Sequence, residues 1–203
     1  MSDVTASSHA VDPCTLVIFG ASGDLTARKL IPAMYEMTRM GLLPERTRIL
    51  GVARRPKTDD AWREELEPWV RKHDPDFDES TWRELAARTH YLPADATTSE
   101  GMAAVGKRVA ELDAAAGNGG NILFFLSVAS SLYEPIVEKI DEAGLVVEGK
   151  RWCSIDPDAA NWQRIIIEKP FGNDDASARN LNRTLGRAFE EESIYRIDHY
   201  LGK

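Results

Sequence analysis

Residues 15–30, TLVIFGASGDLTARKL, constrain the fold more than any other stretch of this chain. Thr15, Leu16, Val17, Ile18 and Phe19 carry no charge and do not alternate apolar with polar, so they predict a strand buried on both faces. Gly20 and Gly23 then frame Ala21 and Ser22, and Asp24 stands in the position of a helix N-cap before Leu25, Leu30, Ile31 and Met34, which recur with helical period. Strand, glycine turn and helix start make an anion site. Glycines let backbone N–H groups approach a phosphate, and the helix N-terminus adds unpaired donors and the positive end of its dipole. We read the stretch as the pyrophosphate cradle of a dinucleotide. The glycine signal alone is G-x-x-G, one glycine short of G-x-G-x-x-G, with Thr26 where a small third residue would ease helix–strand packing. An ordinary tight strand-to-helix turn would read the same way, and the flanking sequence has to decide.

The flanks extend the pattern. A helix over residues 25–40 stops at Gly41, with Pro44 beyond, and residues 48–53 form a second short strand, completing a β-α-β unit whose strands should be parallel. Arg54 and Arg55 follow that strand. In a dinucleotide fold this position faces the adenosine ribose, where a carboxylate accepts from a free 2′-hydroxyl and an arginine accommodates a 2′-phosphate, so the choice here favours NADP over NAD. Arg54 could also stack on adenine. Without the upstream cradle, the same pair would read as solvated loop arginines ahead of Pro56.

Two amphipathic helices are predicted between residues 58 and 88, broken around His73, Asp74 and Pro75; their Trp62, Leu66, Trp69, Val70, Phe77, Trp82 and Leu85 read as core contacts. Residues 90–95 make a third strand and turn ending in Asp95. A helix over residues 99–116 ends in Gly117, Asn118, Gly119 and Gly120, and residues 121–128 form a fourth interior strand. The turn at Ala129, Ser130 and Ser131 and a helix over residues 132–143, which contains Tyr133, repeat the strand-turn-helix grammar. This strand's carboxyl end would border the nicotinamide half of the crevice. Histidines 73 and 90 read as structural or exposed.

After a polar stretch, residues 164–167 make a fifth strand leading into Glu168, Lys169, Pro170, Phe171 and Gly172. A lysine at a strand's carboxyl end can bond both a substrate hydroxyl and a coenzyme carboxamide; a lysine paired with Glu168 is the plainer reading. Pro170 sets a tight turn, with a cis bond as one option. A helix over residues 174–191 precedes the closing IYRIDHYLGK, where His199, Tyr200 and Lys203 are donors suited to a phosphate monoester. A carboxylate beside a histidine suggests an acid–base pair, but neighbours on a strand face opposite sides, so Asp198 reads as better placed to orient a base other than His199.

A length of 203 residues allows one substantial core without disulfides or a metal. A net charge of −8 argues against a nucleic-acid surface. Cys14 and Cys153 form neither a disulfide framework nor metal-ligand spacing, which fits a reducing cytoplasm. Residues 1–13 read as a disordered leader lacking a basic or apolar signal region, and no apolar run approaches membrane-spanning length.

Taken together, GASGDL at residues 20–25, VARR at 52–55, EKPFG at 168–172 and RIDHYLGK at 196–203 resemble, in order and spacing, the glucose-6-phosphate dehydrogenase family, and residues 15–203 look like its N-terminal coenzyme domain. The resemblance implies a Rossmann-like, doubly wound α/β fold with a mainly parallel sheet and helices on both faces, which binds NADP and oxidises glucose 6-phosphate to 6-phosphogluconolactone in the pentose phosphate pathway. It implies that Gly20, Ala21, Ser22, Gly23, Asp24 and Leu25 hold the pyrophosphate and that Arg54 meets the 2′-phosphate. Asp95 and Tyr133 complete the coenzyme-facing set. Lys169 bridges sugar and coenzyme, His199, Tyr200 and Lys203 grip the sugar phosphate, and Asp198 orients a catalytic histidine. Two departures stand out. Many relatives carry Pro-Pro where this chain has Ala129 and Ser130, and members continue past residue 203 into an α+β domain that supplies the histidine base and the main surface of a homo-oligomer. The expectation is therefore that this chain by itself binds NADP, binds the sugar phosphate weakly, and turns over poorly or not at all. The alternative is a non-catalytic NADP-binding module or sensor that acts with a partner chain. A short-chain reductase is set aside, because no tyrosine has a lysine four positions on.

Overall fold

The structure is a computed structural model and describes residues 11–147, 161–172 and 174–197. Six strands form one sheet: β1 (Thr15–Phe19), β2 (Arg48–Ala53), β3 (Thr89–Pro93), β4 (Ile122–Leu126), β5 (Gln163–Glu168) and β6 (Ile194–Ile197). Their order is β3-β2-β1-β4-β5-β6 and every pair is parallel. The helices are α1 (Ile31–Arg39), α2 (Asp59–His73), α3 (Glu79–Ala87), α4 (Ser99–Ala116), α5 (Tyr133–Glu142) and α6 (Asp175–Ala188). The chain winds from β1 outward to β3, then crosses back to β4 and winds the other way. That reversal between β1 and β4 creates a crevice outside their carboxyl ends.

All five residues of β1 are buried, as an uncharged central strand requires. Its side chains alternate between two core layers. Val17 and Phe19 join Phe124, Met102, Val105, Val137 and Leu185 on one face; Leu16 and Ile18 join Ile31, Tyr35, Trp62, Leu66 and Leu85 on the other. At roughly 1.5–3 kcal/mol for each large side chain removed from water, these two layers supply the main driving force for folding.

Local chemistry explains the boundaries. Thr58, Asp78 and Thr98 cap α2, α3 and α4 by accepting from the N–H groups of Ala61, Thr81 and Gly101. α2 ends where Asp74, held extended before Pro75, cannot continue a helix. α4 ends at Gly117, whose left-handed backbone (φ 69°) suits glycine. The helix predicted to reach residue 191 stops instead at Ala188. Phe189 turns to an extended backbone and buries its ring edge-on against Phe124, 6.1 Å between centroids, so tertiary burial outweighs helical continuation.

The outer edge of β3 is covered by side chains of α2. The Tyr91 N–H donates to Asp59 Oδ1 at 2.7 Å, and Arg63 donates from Nε and Nη2 to the Thr89 carbonyl at 2.9 and 2.7 Å. These groups occupy hydrogen-bonding positions that a further strand would otherwise take.

Candidate coenzyme site at the β1–β4 switch point

The glycine turn is held from below. Gly20 and Ala21 both donate their N–H groups to the Val52 carbonyl, at 2.9 and 3.2 Å, and Gly23 donates to the Gly20 carbonyl at 2.9 Å. Gly20 holds φ +88°, and a Cβ there would lie 2.0 Å from the Ser127 carbonyl oxygen. Only glycine lets the turn after β1 pack against the chain leaving β4.

The six residues of the cradle thus divide in two. The N–H groups of Gly20, Ala21 and Gly23 bond inward, whereas those of Ser22, Asp24 and Leu25 have no acceptor among the described residues. The expectation of an Asp24 N-cap is corrected here. The helical turn already includes Asp24, Gly23 supplies the first accepting carbonyl (to Ala27 N–H, 3.3 Å), and the Asp24 carboxylate points to solvent, 83% exposed and 3.7 Å from Arg28. With no side chain capping this helix start, its donors are left for an anion.

Thr26, where a third small residue was expected, is fully buried. Its hydroxyl lies 3.4 Å from the Gly20 carbonyl and 3.3 Å from Ser127 Oγ, joining helix start, turn and β4 loop. Residues 26–30 form one π-helical turn, closed by the Ile31 N–H donating to the Thr26 carbonyl. Pro32 explains it: proline has no N–H for the carbonyl four residues back and its ring crowds that carbonyl, so the preceding turn widens.

Three clefts among the described residues border the turn, and two of them open at the carboxyl ends of the strands. One, of about 360 Å³, runs along the carboxyl ends of β1, β2, β3 and β4 and is lined by Gly20, Ser22, Arg54, Arg55, Asp95 and Ser127, among others. Arg54 and Arg55 are exposed there. Asp95 Oδ1 accepts from the Thr97 hydroxyl and N–H at 2.7 and 3.0 Å; these bonds outweigh burial and, with nearby Arg54, hold its carboxyl below the usual range. The second cleft, of about 290 Å³, lies between Asp24, Ser127, Ala129, Tyr133, Lys169 and Pro170.

Tyr133 lines this second cleft with its ring, but its hydroxyl donates inward to the Glu168 carbonyl at 3.0 Å, and the side chain is 2% exposed. Burial raises its pKa, keeping the phenol protonated as that donor. Its place is thus beneath the cleft floor, fixing the end of β5. The Lys169–Pro170 bond is cis, and the Lys169 N–H donates to the Ile197 carbonyl at 3.3 Å, so the ends of β5 and β6 meet at this cleft. Beside it, Glu168 has a pKa raised by burial, and its Oε1 has no hydrogen-bond partner among the described residues. Asp198, His199, Tyr200 and Lys203 lie outside the described residues.

The structure therefore brings Gly20, Ser22, Gly23, Arg54 and Asp95 to the first cleft and Gly23, Asp24, Leu25, Tyr133 and Lys169 to the second, with Ala21 buried within the turn that separates them. Sequence reasoning missed the roles of Thr26, Thr97 and Ser127. Ser127, the polar residue that follows the apolar run 122–126, was the one signal for the last.

A parallel sheet of this order, with a glycine turn and uncapped helix start at its switch point, defines a dinucleotide-binding α/β domain. Comparison with known proteins narrows this. The profile described as "Glucose-6-phosphate dehydrogenase, NAD binding domain" matches residues 17–203. Glucose-6-phosphate 1-dehydrogenase of Chlamydia muridarum is 39% identical over 96% of this chain and 38% of its own length, and glucose-6-phosphate 1-dehydrogenase 2 of Mycobacterium tuberculosis is 35% identical over 94% and 36%. A solved glucose-6-phosphate dehydrogenase in complex with its substrate glucose-6-phosphate superposes with a TM-score of 0.79 at 33% identity, covering 95% of this chain and 38% of that one. The chain belongs to the glucose-6-phosphate dehydrogenase family and spans the family's NAD-binding domain, a little over a third of the length of these relatives. Among the described residues no helix is long and apolar enough to cross a membrane.

Proposed function

We propose that this chain is the coenzyme-binding portion of an NADP-dependent glucose-6-phosphate dehydrogenase, which oxidises glucose 6-phosphate to 6-phosphogluconolactone in a reducing cytoplasm. The observation that carries the coenzyme part is the uncapped helix start at Asp24, with outward-free N–H groups at Ser22, Asp24 and Leu25, one strand away from Arg54. These donors fit a pyrophosphate, and the Gly20 contact leaves no side chain in its way. Arg54 supplies a fixed positive charge for a 2′-phosphate, and Asp95 presents a carboxylate acceptor on the adenosine side.

NADP, when bound, supplies the acceptor for the hydride leaving C1 of the sugar. The residues of this chain arrange that transfer. Lys169, at the mouth of the second cleft, donates hydrogen bonds to the sugar and to the coenzyme carboxamide and so sets their mutual orientation. Tyr133 and the β5–β6 pairing hold the Lys169 backbone in place. His199, Tyr200 and Lys203 grip the sugar phosphate, and Asp198 orients the histidine that takes the C1 hydroxyl proton.

The substrate part is tested by ligand-observed NMR titration of glucose 6-phosphate in the presence of NADP, with glucose and inorganic phosphate as controls. Weak binding of glucose 6-phosphate that exceeds both controls and is lost in Lys169→Ala is expected. Equal response to all three ligands would remove glucose 6-phosphate as the substrate.

A further inference from the structure

Trp62 was read from sequence as a core contact, and it is fully buried, 1% exposed. Its surroundings give it more to do. The indole Nε1–H donates to the Ala21 carbonyl at 3.2 Å, inside the glycine turn. β2 makes room for the ring with Gly51, where a Cβ would lie 2.3 Å from Trp62 Cη2 and 2.7 Å from the Ala21 Cβ. Tyr91 braces the ring from β3, tilted at 5.3 Å between centroids. Ala21 donates its own N–H to the Val52 carbonyl at 3.2 Å. Both backbone polar groups of Ala21 are therefore tied down, one to β2 and one to α2.

The next residue along is Ser22, the first of the outward-free donors. Fixing the Ala21 carbonyl fixes the peptide plane that contains the Ser22 N–H, since the two share one planar unit. From this, we infer that Trp62 is a positioning residue of the coenzyme turn: it aims the Ser22 N–H and holds the turn over β2 without touching the coenzyme. The inference rests on the coenzyme reading above. Its physical content is preorganisation. A turn held in its binding geometry pays less ordering cost when an anion arrives, and the pyrophosphate is common to NADP and NAD. Trp62 therefore governs affinity for both dinucleotides, whereas Arg54 governs the choice between them.

The test is calorimetric titration of wild type and Trp62→Phe with NADP, NAD and adenosine 2′-monophosphate, which carries the 2′-phosphate but no pyrophosphate. Phenylalanine keeps an aromatic ring against Tyr91 and removes the N–H donor. The affinities for NADP and NAD are expected to fall by the same factor, about three- to tenfold for one lost hydrogen bond, with adenosine 2′-monophosphate unchanged. Retained dinucleotide affinity in the folded variant, or an equal loss for adenosine 2′-monophosphate, overturns the inference. A second measurement needs no variant: the Trp62 indole N–H resonance of wild type should shift on adding NADP or NAD and stay in place with adenosine 2′-monophosphate. A resonance unmoved by bound NADP overturns it as well. If the wild type binds neither dinucleotide, the coenzyme reading itself fails, and this inference falls with it.

Discussion

Gly20 and Ser127 meet through their backbones, with space between them for a hydrogen but not for a methyl group, since a Cβ on Gly20 would lie 2.0 Å from the Ser127 carbonyl oxygen. The contact joins the turns that leave β1 and β4, the two strands between which the chain reverses direction. Replacing Gly20 by alanine forces both a steric shift and a positive φ of 88° on a residue with a side chain. Urea denaturation of Gly20→Ala is expected to show a loss of about 2–4 kcal/mol, combining overpacking with left-handed strain. Gly23→Ala is the control: a Cβ there meets the Gly20 carbonyl oxygen at 3.1 Å and the Ser127 carbonyl oxygen at 4.0 Å, without a positive φ. Its cost is expected to be smaller, about 1 kcal/mol, and equal losses in the two variants would contradict the contact's importance.

The covered edge of β3 carries a pH dependence. His90 Nδ1 lies 3.0 Å from Asp59 Oδ2, and Arg63 and Arg108 face the same carboxylate at 3.7 and 3.9 Å. Burial lowers the His90 pKa below its ordinary value, outweighing the attraction of Asp59, and the two arginines lower it further. The neutral imidazole then donates Nδ1–H to the carboxylate. For Asp59, burial alone would raise the pKa, but the Tyr91 N–H and His90 together bring it below the usual carboxylate value. Because the unfolded chain takes up a proton at its histidine first, the His90 contribution is complete above about pH 6.5 and is lost as pH falls towards the folded value. The Asp59 contribution is present above about pH 4 and is lost on further acidification. The urea midpoint should fall between about pH 7 and pH 5, with a shallower slope in His90→Gln. An identical slope in that variant would contradict the account.

Cys14 is buried, and burial pushes its thiol up to about 11, with Arg164 opposing and Asp12 adding to the shift. In a Cys153→Ser background, a thiol reagent at mildly alkaline pH should modify the folded protein at least about a hundredfold more slowly than the urea-unfolded chain, since the thiolate is the reactive form. Comparable rates would show that Cys14 is exposed.

Most of the fold was legible because its signals are local. Uncharged strands, Gly117 and the Asp74–Pro75 break fix where elements begin and end by backbone chemistry alone. The end of α6 was not legible, because it depends on Phe189 finding Phe124, a contact distant in sequence. The π-helical turn depends on Pro32, whose effect falls one turn earlier than its own position. For the site, the glycine spacing and Arg54 could be read directly. The division of the turn into inward-bonded and outward-free N–H groups could not, since Val52 and Trp62 approach it from elsewhere in the chain. The roles of Ser127 and Thr26 were not legible for the same reason: each hydroxyl acts across a junction between separate elements.

In the proposed binding mode the dinucleotide sets its pyrophosphate at Ser22, Asp24 and Leu25 and its 2′-phosphate at Arg54. Calorimetric titration of the chain with NADP and with NAD, repeated on Arg54→Ala, tests this most directly. NADP should bind more tightly than NAD, and the variant should lose about ten- to a hundredfold of its NADP affinity while its NAD affinity is unchanged. A folded chain that binds neither nucleotide, or a variant that retains the full NADP preference, would contradict it.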